Sequence, residues 1–170
     1  MAVTNITYAA DATITIGLAT TPLASSATFV AGRQSTAIDN SSNLYDDAYV
    51  SGQVTVGTSP TTATQIQVYV YAAQDQTPTY PDTFTGTDAD KTITSAGVAA
   101  GMLRLAGVLS VDSTTSNRVY YLAPFSVAAL FGGILPHHWG LFITHNTGVA
   151  LNSTAGNHIW KYAGVTYTTA

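Results

Sequence analysis

The stretch TQIQVYVYAA, Thr64–Ala73, alternates between apolar and polar side chains with a period of two residues. Successive side chains of an extended chain point to opposite faces, so this pattern predicts a β-strand. One face carries the aliphatic side chains of Ile66, Val68, Val70 and Ala72. The other face carries amides and phenols, from Gln65, Gln67, Tyr69 and Tyr71. We expect the aliphatic face to pack into a core and the two tyrosines to project outward.

Further segments of similar length are rich in Val, Ile, Thr and Tyr and are bounded by Gly, Pro, Ser and Asn, as strands are. The predicted strands cover residues 12–18, 27–38, 48–57, 64–73, 102–111, 118–123, 125–131, 137–146 and 158–168. Many short strands separated by turns are typical of a β-sandwich or a barrel. The segment FSVAALF, residues 125–131, also fits two helical turns ended by Gly132 and Gly133. For this segment we favour a strand buried on both faces.

The composition also favours an all-β fold. The chain of 170 residues is 46% hydrophobic and 8% charged, and all of its acidic residues are aspartates. Glu and Lys normally cover the solvated faces of helices, so their scarcity disfavours helices. The sequence contains no internal repeat and no linker that would divide it. We therefore predict one domain over residues 1–170, with a weakly charged surface of Thr, Ser, Asn and Gln.

Two segments lack the strand pattern. Residues 74–101 contain Pro78 and Pro81, which exclude a central strand, and only residues 92–94 hint at extended structure. Loops this long in compact domains are usually functional or docked elsewhere. We therefore predict a long loop at residues 74–101 that contacts a neighbouring protein. Residues 1–20 are predicted to form an extended N-terminal segment that can act as an arm.

The charge pattern excludes several classes of partner. A net charge of −4 and five scattered cationic residues do not form the basic patch that recognition of phosphates requires, so no direct nucleic-acid partner is predicted. The lack of cysteine excludes disulfides and thiolate zinc sites. No run of about 18 apolar residues is present, so no membrane segment is predicted. The start, MAVTNITYAADATITIG, lacks the features of a signal peptide, and we expect a product of the cytoplasm without its own export signal.

Three of the four histidines lie in GGILPHHWGLFITHNTG, residues 132–148. In a strand, His137 and His145 share a face but stand about 26 Å apart, at roughly 3.3 Å per residue, which is too far to bind one ion. The adjacent His138 points to the opposite side. His158 could approach His138 or His145 across strands, and an intersubunit site on an oligomer axis stays open. The pattern favours a turn, a core strand and a second turn, with histidines that act as pH-sensitive contacts at an interface.

No other motif predicts a metal site or catalysis. The aspartates of DTFTGTDAD, residues 82–90, lack the spacing of a calcium-binding EF-hand loop and indicate a solvated turn. The adjacent Asp46 and Asp47 indicate a turn rather than an acid/base pair. The chain has no G-x-S-x-G, no P-loop and no G-x-G-x-x-G. We predict a protein that is not an enzyme and that has no metal and no cofactor.

The aromatic residues could bind either sugars or proteins. Trp139, and Trp160 with Tyr162 on one face of the last strand, could form a platform on which a sugar ring stacks. In β-sandwiches such residues more often belong to the core or to an interface, and we favour that interpretation. Outward Tyr69 and Tyr71 could anchor a protein contact, because tyrosine offers a large contact area at low entropic cost.

Residues 118–168, RVYYLAPFSVAALFGGILPHHWGLFITHNTGVALNSTAGNHIWKYAGVTYT, resemble small virion proteins of tailed bacteriophages. The similar elements are YYLAPFSV, GGILPHHWGLFI, the turn NTGVAL and the closing KYAGVTY. Residues 68–89, VYVYAAQDQTPTYPDTFTGTDA, share the resemblance, which covers 73 of the 170 residues. The resemblance implies a non-enzymatic particle component, and among such components a capsid decoration (cement) protein built on a single antiparallel, jelly-roll-like β-sandwich.

Such a protein would lie on the exterior of the virion head, bind the major capsid protein and stabilise the junctions between capsomers. The resemblance also implies a homo-oligomer, with a trimer as one option. The segments expected at the shell are residues 1–15 and residues 80–90. The expected contact residues are Tyr69, Tyr71, Tyr80, Asp82, Phe84, Asp88, Asp90, Trp160 and Tyr162.

Two alternatives stay open at this point. A carbohydrate-binding β-sandwich would use Trp160, Tyr162 or Tyr71 to stack on a sugar ring. A structural component of the tail, the neck or a head fibre would show the same sequence pattern as a decoration protein on the head.

Overall fold

A computed structural model of the chain describes residues 4–169. Numbered in chain order, the elements are β1 (Thr4–Tyr8), β2 (Ala12–Thr13), β3 (Ala31–Gln34), β4 (Ile38–Asp39), β5 (Asp47–Thr55), β6 (Thr64–Ala73), β7 (Ala89–Thr92), α1 (Ala96–Met102), β8 (Arg104–Val111), β9 (Val119–Ser126), α2 (Val127–Leu130), β10 (His138–His145) and β11 (Ile159–Thr169). Both helices are short, and strands dominate the regular structure. The prediction of an all-β chain is confirmed.

The strands form two antiparallel sheets that pack face to face. Sheet A has the order β1-β11-β5-β9, with β2 also paired to β11, and sheet B has the order β7-β3-β10-β6-β8, with β4 also paired to β10. Without the short strands β2, β4 and β7, the pairs are nested: β1 with β11, β3 with β10, β5 with β9, and β6 with β8. Nested antiparallel pairs that alternate between two sheets form a jelly roll. The predicted jelly-roll-like sandwich is therefore confirmed.

The main core lies between the two sheets and contains aliphatic side chains and both tryptophans. Trp139 of β10 meets Tyr162 of β11 edge-on, with ring centroids 5.5 Å apart, so these rings join the two sheets. Every residue of β10 is buried, because this strand lies inside sheet B and has apolar clusters on both faces. The core strand predicted at residues 137–146 is confirmed. The aliphatic face of β6 is buried as predicted.

A second apolar cluster lies on the outer face of sheet B, where residues 74–103 cover the sheet. Its buried members are Tyr71 and Phe142 from the sheet and Phe84, Ile93 and Leu103 from the covering segment. Within this segment, β7 pairs with β3, and α1 begins after the N-cap Ser95. The prediction of a long loop at residues 74–101 is therefore wrong where β7 and α1 form, and contact of this segment with a neighbouring protein stays a prediction. Apolar residues spaced along the segment bind it to its own sheet.

The prediction of an N-terminal arm over residues 1–20 is wrong for the part that the structure describes. β1 and β2 pair with β11 in sheet A. Ile14 and Leu18 are buried in the main core, where they are 2% and 0% exposed. Residues 1–3 lie outside the described residues. The N-terminal segment is thus an integral part of the sandwich from Thr4 onward.

Three predicted strands differ from the observed ones. The strand favoured at residues 125–131 is wrong beyond Ser126, where β9 ends and α2 begins. The Ser126 hydroxyl accepts a hydrogen bond from Ala129 N–H at 3.0 Å, and Gly133 N–H donates to Ala128 O at 2.8 Å, so both ends of the short helix are capped. The strands predicted at residues 12–18 and 27–38 persist only as β2, and as β3 with β4. No helix among residues 4–169 has the length and apolarity needed to cross a membrane.

Candidate functional site

Several predicted contact residues belong to the cluster on sheet B. The ring of Tyr71 lies 5.7 Å from that of Tyr80 and 4.9 Å from that of Phe84, measured between centroids. Tyr71 is fully buried and donates a hydrogen bond to Ser35 O at 2.7 Å. It projects from the outer face of sheet B as predicted, but its predicted exposure is wrong: the ring lies over Gly140 of β10, where an added Cβ would come within 2.6 Å of the phenol, and residues 74–103 cover it. Tyr71 and Phe84 stabilise the fold and are not exposed to a partner.

Tyr69 and Tyr80 are half-buried at the border of the same cluster. The Tyr69 hydroxyl donates to Gln67 Oε1 at 2.8 Å. Burial raises the pKa of both phenols. Gly86 lies against the Tyr80 ring with a φ of +70°, a conformation that favours glycine, so the turn after Phe84 depends on it. These two tyrosines retain some exposed surface, but the covering segment determines their positions.

The aspartates of the turn at residues 82–90 are held by protein groups. Arg33 binds Asp88 at 2.7 Å and Asp90 at 2.9 Å, and Gly17 N–H donates to Asp88 Oδ2 at 3.0 Å. The hydrogen bond to Asp88 raises the pKa of Arg33. Asp82 accepts hydrogen bonds from the Thr94 hydroxyl at 2.6 Å and from its N–H at 2.9 Å. The turn is thus fastened by an ion-pair cluster around Arg33, which sequence analysis missed because its partners lie more than 50 residues away.

The histidines are separated in space. His145 is fully buried, with Nε2 3.0 Å from Leu23 O and Nδ1 3.0 Å from Thr147 Oγ1. His158 accepts a hydrogen bond from Thr55 N–H at 3.3 Å. His138 is buried beside Asp39, and His137 is exposed. Across residues 4–169, no group of three or more His, Cys, Asp or Glu side chains is arranged to hold a metal ion.

The aromatic platform considered as an alternative on β11 does not form, and the favoured placement of Trp160 in the core is confirmed. Trp160 is 1% exposed and belongs to the main core, and Tyr162 packs on Trp139. Neither Trp160 nor Tyr71 can stack on a sugar ring in this structure. Trp160 points into the main core between the sheets, whereas Tyr71 lies on the outer face of sheet B and is buried there by residues 74–103.

The aromatic surface of the molecule is instead the outer face of sheet A. Strand register places six exposed apolar side chains on this face: Ile6, Tyr8, Tyr49, Tyr121, Ile159 and Tyr167. We call this surface the tyrosine face. Tyr121 is its most exposed tyrosine, at 70%, and lies across β5 from Ile159, with Gln53 between them. Exposed apolar side chains grouped on one face and rimmed by polar residues are typical of interaction sites.

Two shallow depressions join along the centre of the tyrosine face. One, of about 320 Å³, is lined by Tyr121, Gln53 and Ile159, and the other, of about 250 Å³, by Tyr8 and Tyr49. Both depressions share Ser51, Pro124 and Lys161. They therefore form one groove that crosses sheet A.

The groove is electrically neutral at its centre. Lys161 Nζ lies 2.6 Å from Asp11 Oδ2, and this hydrogen bond lowers the pKa of the exposed Asp11 carboxyl. Asp47, also on this side of β5, is buried and accepts hydrogen bonds from Ala48 N–H and Ala128 N–H. The tyrosine face thus presents phenol rings, aliphatic groups and hydroxyls, and it carries little net charge.

Sequence analysis missed the tyrosine face, although a signal was present. In DAYVSGQVT the alternate residues Tyr49, Ser51 and Gln53 share one side of β5, which marks that side as the outer one. The pattern could not show that Tyr49, Ser51 and Gln53 keep exposed surface, whereas Tyr71 on the outer side of β6 is covered.

No protein-family model and no curated protein matches the sequence.

Proposed function

We propose that this chain is a non-enzymatic structural protein of a tailed-bacteriophage virion, a capsid decoration protein that binds the head exterior through the tyrosine face. The observation that carries the proposal is the exposed, neutral and tyrosine-rich outer face of sheet A. Tyrosine is enriched at protein interfaces and at their energetic hot spots, whereas charged residues are depleted from interface cores. The resemblance of residues 118–168 to small phage virion proteins supports the choice of a phage particle.

The size of the tyrosine face is adequate for this role. β11 runs for about 26 Å between Ile159 and Tyr167 at roughly 3.3 Å per residue, and four strands at about 4.8 Å each give a width of about 19 Å. The product, about 500 Å², is more than half of the roughly 800 Å² per partner that specific interfaces bury. The face can therefore supply the centre of an interface with the major capsid protein.

The proposed mechanism is mechanical. A protein that binds across a junction between capsomers stabilises the closed junction, because opening the junction also breaks the contacts that the bound protein makes with both capsomers. The chain would be made in the host cytoplasm and would reside on the virion surface. The jelly-roll fold agrees with the architecture expected of a decoration protein. The fold does not specify this function, since it also serves unrelated functions.

Particles lacking the protein provide the direct test. Purified wild-type protein should co-sediment with such particles and raise the temperature at which they release DNA. Tyr121→Ala should weaken binding by roughly 30-fold, the effect of removing a hot-spot side chain worth about 2 kcal/mol.

Ile134→Ala is the matched control, because Ile134 is also 70% exposed and lies in the loop between α2 and β10. It should bind like wild type. If Tyr121→Ala binds as tightly as wild type, or if intact virions never contain the protein, the proposal is wrong. Location of the chain in the tail, the neck or a fibre would retain a virion role and reject the head site.

A specific feature of the groove favours carbohydrate binding as a second candidate function. The exposed Tyr121 ring is flanked by the Gln53 amide and by the Lys161–Asp11 pair, a combination of a stacking surface with hydrogen-bonding groups. Binding of the isolated protein to a neutral glycan, lost in Tyr121→Ala, together with no binding to particles, would support this candidate over the decoration protein.

A further inference from the structure

β1 forms an edge of sheet A, and half of its backbone groups face away from its neighbour. Ala9 N–H donates to Gly164 O at 2.8 Å, just past the end of β1. Hydrogen bonding alternates along an antiparallel pair, so every second residue counted back from Ala9 bonds to β11. The N–H and C=O groups of Thr4, Ile6 and Tyr8 therefore point away from β11. Among residues 4–169, no strand pairs with this outer edge.

The other sheet edges carry the features that natural proteins use to prevent strand addition. Such features are charged residues, proline and short length. β7 is four residues long and contains Asp90 and Lys91, β8 begins at Arg104, and β9 contains Pro124. β1, with the sequence TNITY, contains neither a charge nor a proline. Its edge is thus open to pairing in a way that the other edges are not.

β1 also belongs to a ribbon that projects beyond the sheet. The pairing of β11 with β5 ends at Val165, whereas its pairing with β1 continues to Thr169. A two-stranded ribbon is only marginally stable in water. On this ribbon Ile6, 56% exposed, lies directly opposite Tyr167, 50% exposed. An added strand would support the ribbon and cover this apolar pair.

We propose that two copies of this chain pair through β1, antiparallel about a two-fold axis at Ile6, so that the two A sheets become one continuous sheet. In this register Ile6 of one copy meets Ile6 of the other, and Tyr8 of each copy meets Thr4 of the other. The outward backbone groups of all three residues then find partners, since each of these pairs exchanges two hydrogen bonds.

A second copy fits this edge for two reasons. The strand is uncharged, so identical strands do not repel, and the pairing is isologous, so the assembly closes as a dimer. The two-fold axis also places Ile6 and Tyr167 of both copies in one apolar row on the joined tyrosine faces. Because an edge accepts one strand, this arrangement specifies a dimer rather than a trimer. The inference goes beyond the proposed function and does not require a phage particle.

Sedimentation of the purified full chain tests the dimer. Wild type should be dimeric, and Ile6→Lys should raise the dissociation constant by at least about tenfold, because it places two like charges face to face on the axis. Ile159→Lys is the matched control. It makes the same change at a site that is 42% exposed on the tyrosine face but distant from the β1 edge, and it should remain dimeric.

Cross-linking gives a second measurement that does not depend on weakening the dimer. The chain has no cysteine, so Ile6→Cys introduces a unique thiol on the proposed axis. Opposed residues in antiparallel strands lie within the Cα separation that a disulfide spans. Mild oxidation should give a covalent dimer for Ile6→Cys and not for Ile159→Cys. A monomeric wild type, an Ile6→Lys variant with the dissociation constant of wild type, or equal cross-linking of both thiols would overturn the proposal; a monomer that still binds particles would leave the proposed function intact.

Discussion

At Tyr71, a side chain that alternation places on the outer face of β6 is fully buried. Its cross-strand partner is Gly140, which leaves room for the phenol to lie flat on the sheet. The ring is then covered by Tyr80 and Phe84, and burial raises the pKa of the phenol. Tyr121 has the opposite surroundings, because no described segment covers sheet A around it. The same residue type thus contributes to the core in one sheet and to the surface in the other.

His145 is the buried residue with the clearest consequence for stability. Burial lowers its pKa below the ordinary value of 6.5, and the nearby His158 lowers it further, while the hydrogen bond with Leu23 O opposes both effects. Burial also lowers the pKa of His158. The folded protein therefore binds fewer protons than the unfolded chain at pH values below about 6.5. The expected role of His145 as a contact at an interface is wrong, because its side chain lies inside the sandwich.

We predict that the free energy of unfolding is greatest above pH 6.5 and decreases as the pH falls below it. The reason is that His145 and His158 protonate more readily once the chain unfolds. Denaturant titrations at about pH 7.5 and about pH 5.5 measure the effect, and His145→Gln should show a smaller loss between these two values. An unchanged loss in His145→Gln would show that this histidine does not cause it.

At the scale of elements, residues 74–103 act as a cover that is fastened at several points. Phe84 inserts its ring between Tyr71 and Phe142, with a centroid distance of 5.4 Å to Phe142. The pairing of β7 with β3 and the ion pairs of Arg33 hold the middle of the segment. Prolines at its start indicated correctly that it is not a central strand. They did not show that it returns to its own sheet.

Phe84→Ala tests this cover. Loss of a buried phenylalanine side chain should lower the free energy of unfolding by about 3 kcal/mol. It should also loosen the segment, so that trypsin cleaves after Lys91, which is half-buried in β7. Val98→Ala, at an exposed position of α1, should change stability by less than about 0.5 kcal/mol and leave Lys91 protected. Equal protection of Lys91 in both variants would argue against the cover.

At the scale of the whole molecule, the jelly roll separates a covered face from an open one. Residues 74–103 cover the part of the outer face of sheet B around Tyr71 and Phe142, and the outer face of sheet A presents the tyrosine face. The proposed attachment should therefore depend on apolar contact rather than on charge.

From this arrangement we predict that binding to particles is nearly independent of salt. Raising NaCl from about 0.1 M to about 1 M shortens the Debye length from roughly 10 Å to roughly 3 Å, which weakens contacts between exposed charges. The neutral Lys161–Asp11 pair leaves little net charge to screen at the centre of the tyrosine face. Co-sedimentation at the two salt concentrations should give the same bound fraction. Release of the protein at high salt would show that a charged surface makes the contact.

The sequence by itself determined the all-β class, the core strand at residues 137–146 and the inward face of β6. These features depend on alternation within a single strand, which local sequence records. Alternation also marks an outer side on each strand, such as that of Tyr49, Ser51 and Gln53. Only the tertiary structure decided which outer side is covered, because this depends on where residues 74–103 and Arg33 find partners distant in sequence. For that reason the sequence indicated Tyr71 and Trp160, which are buried, whereas the structure places the candidate surface around Tyr121 on the outer face of sheet A.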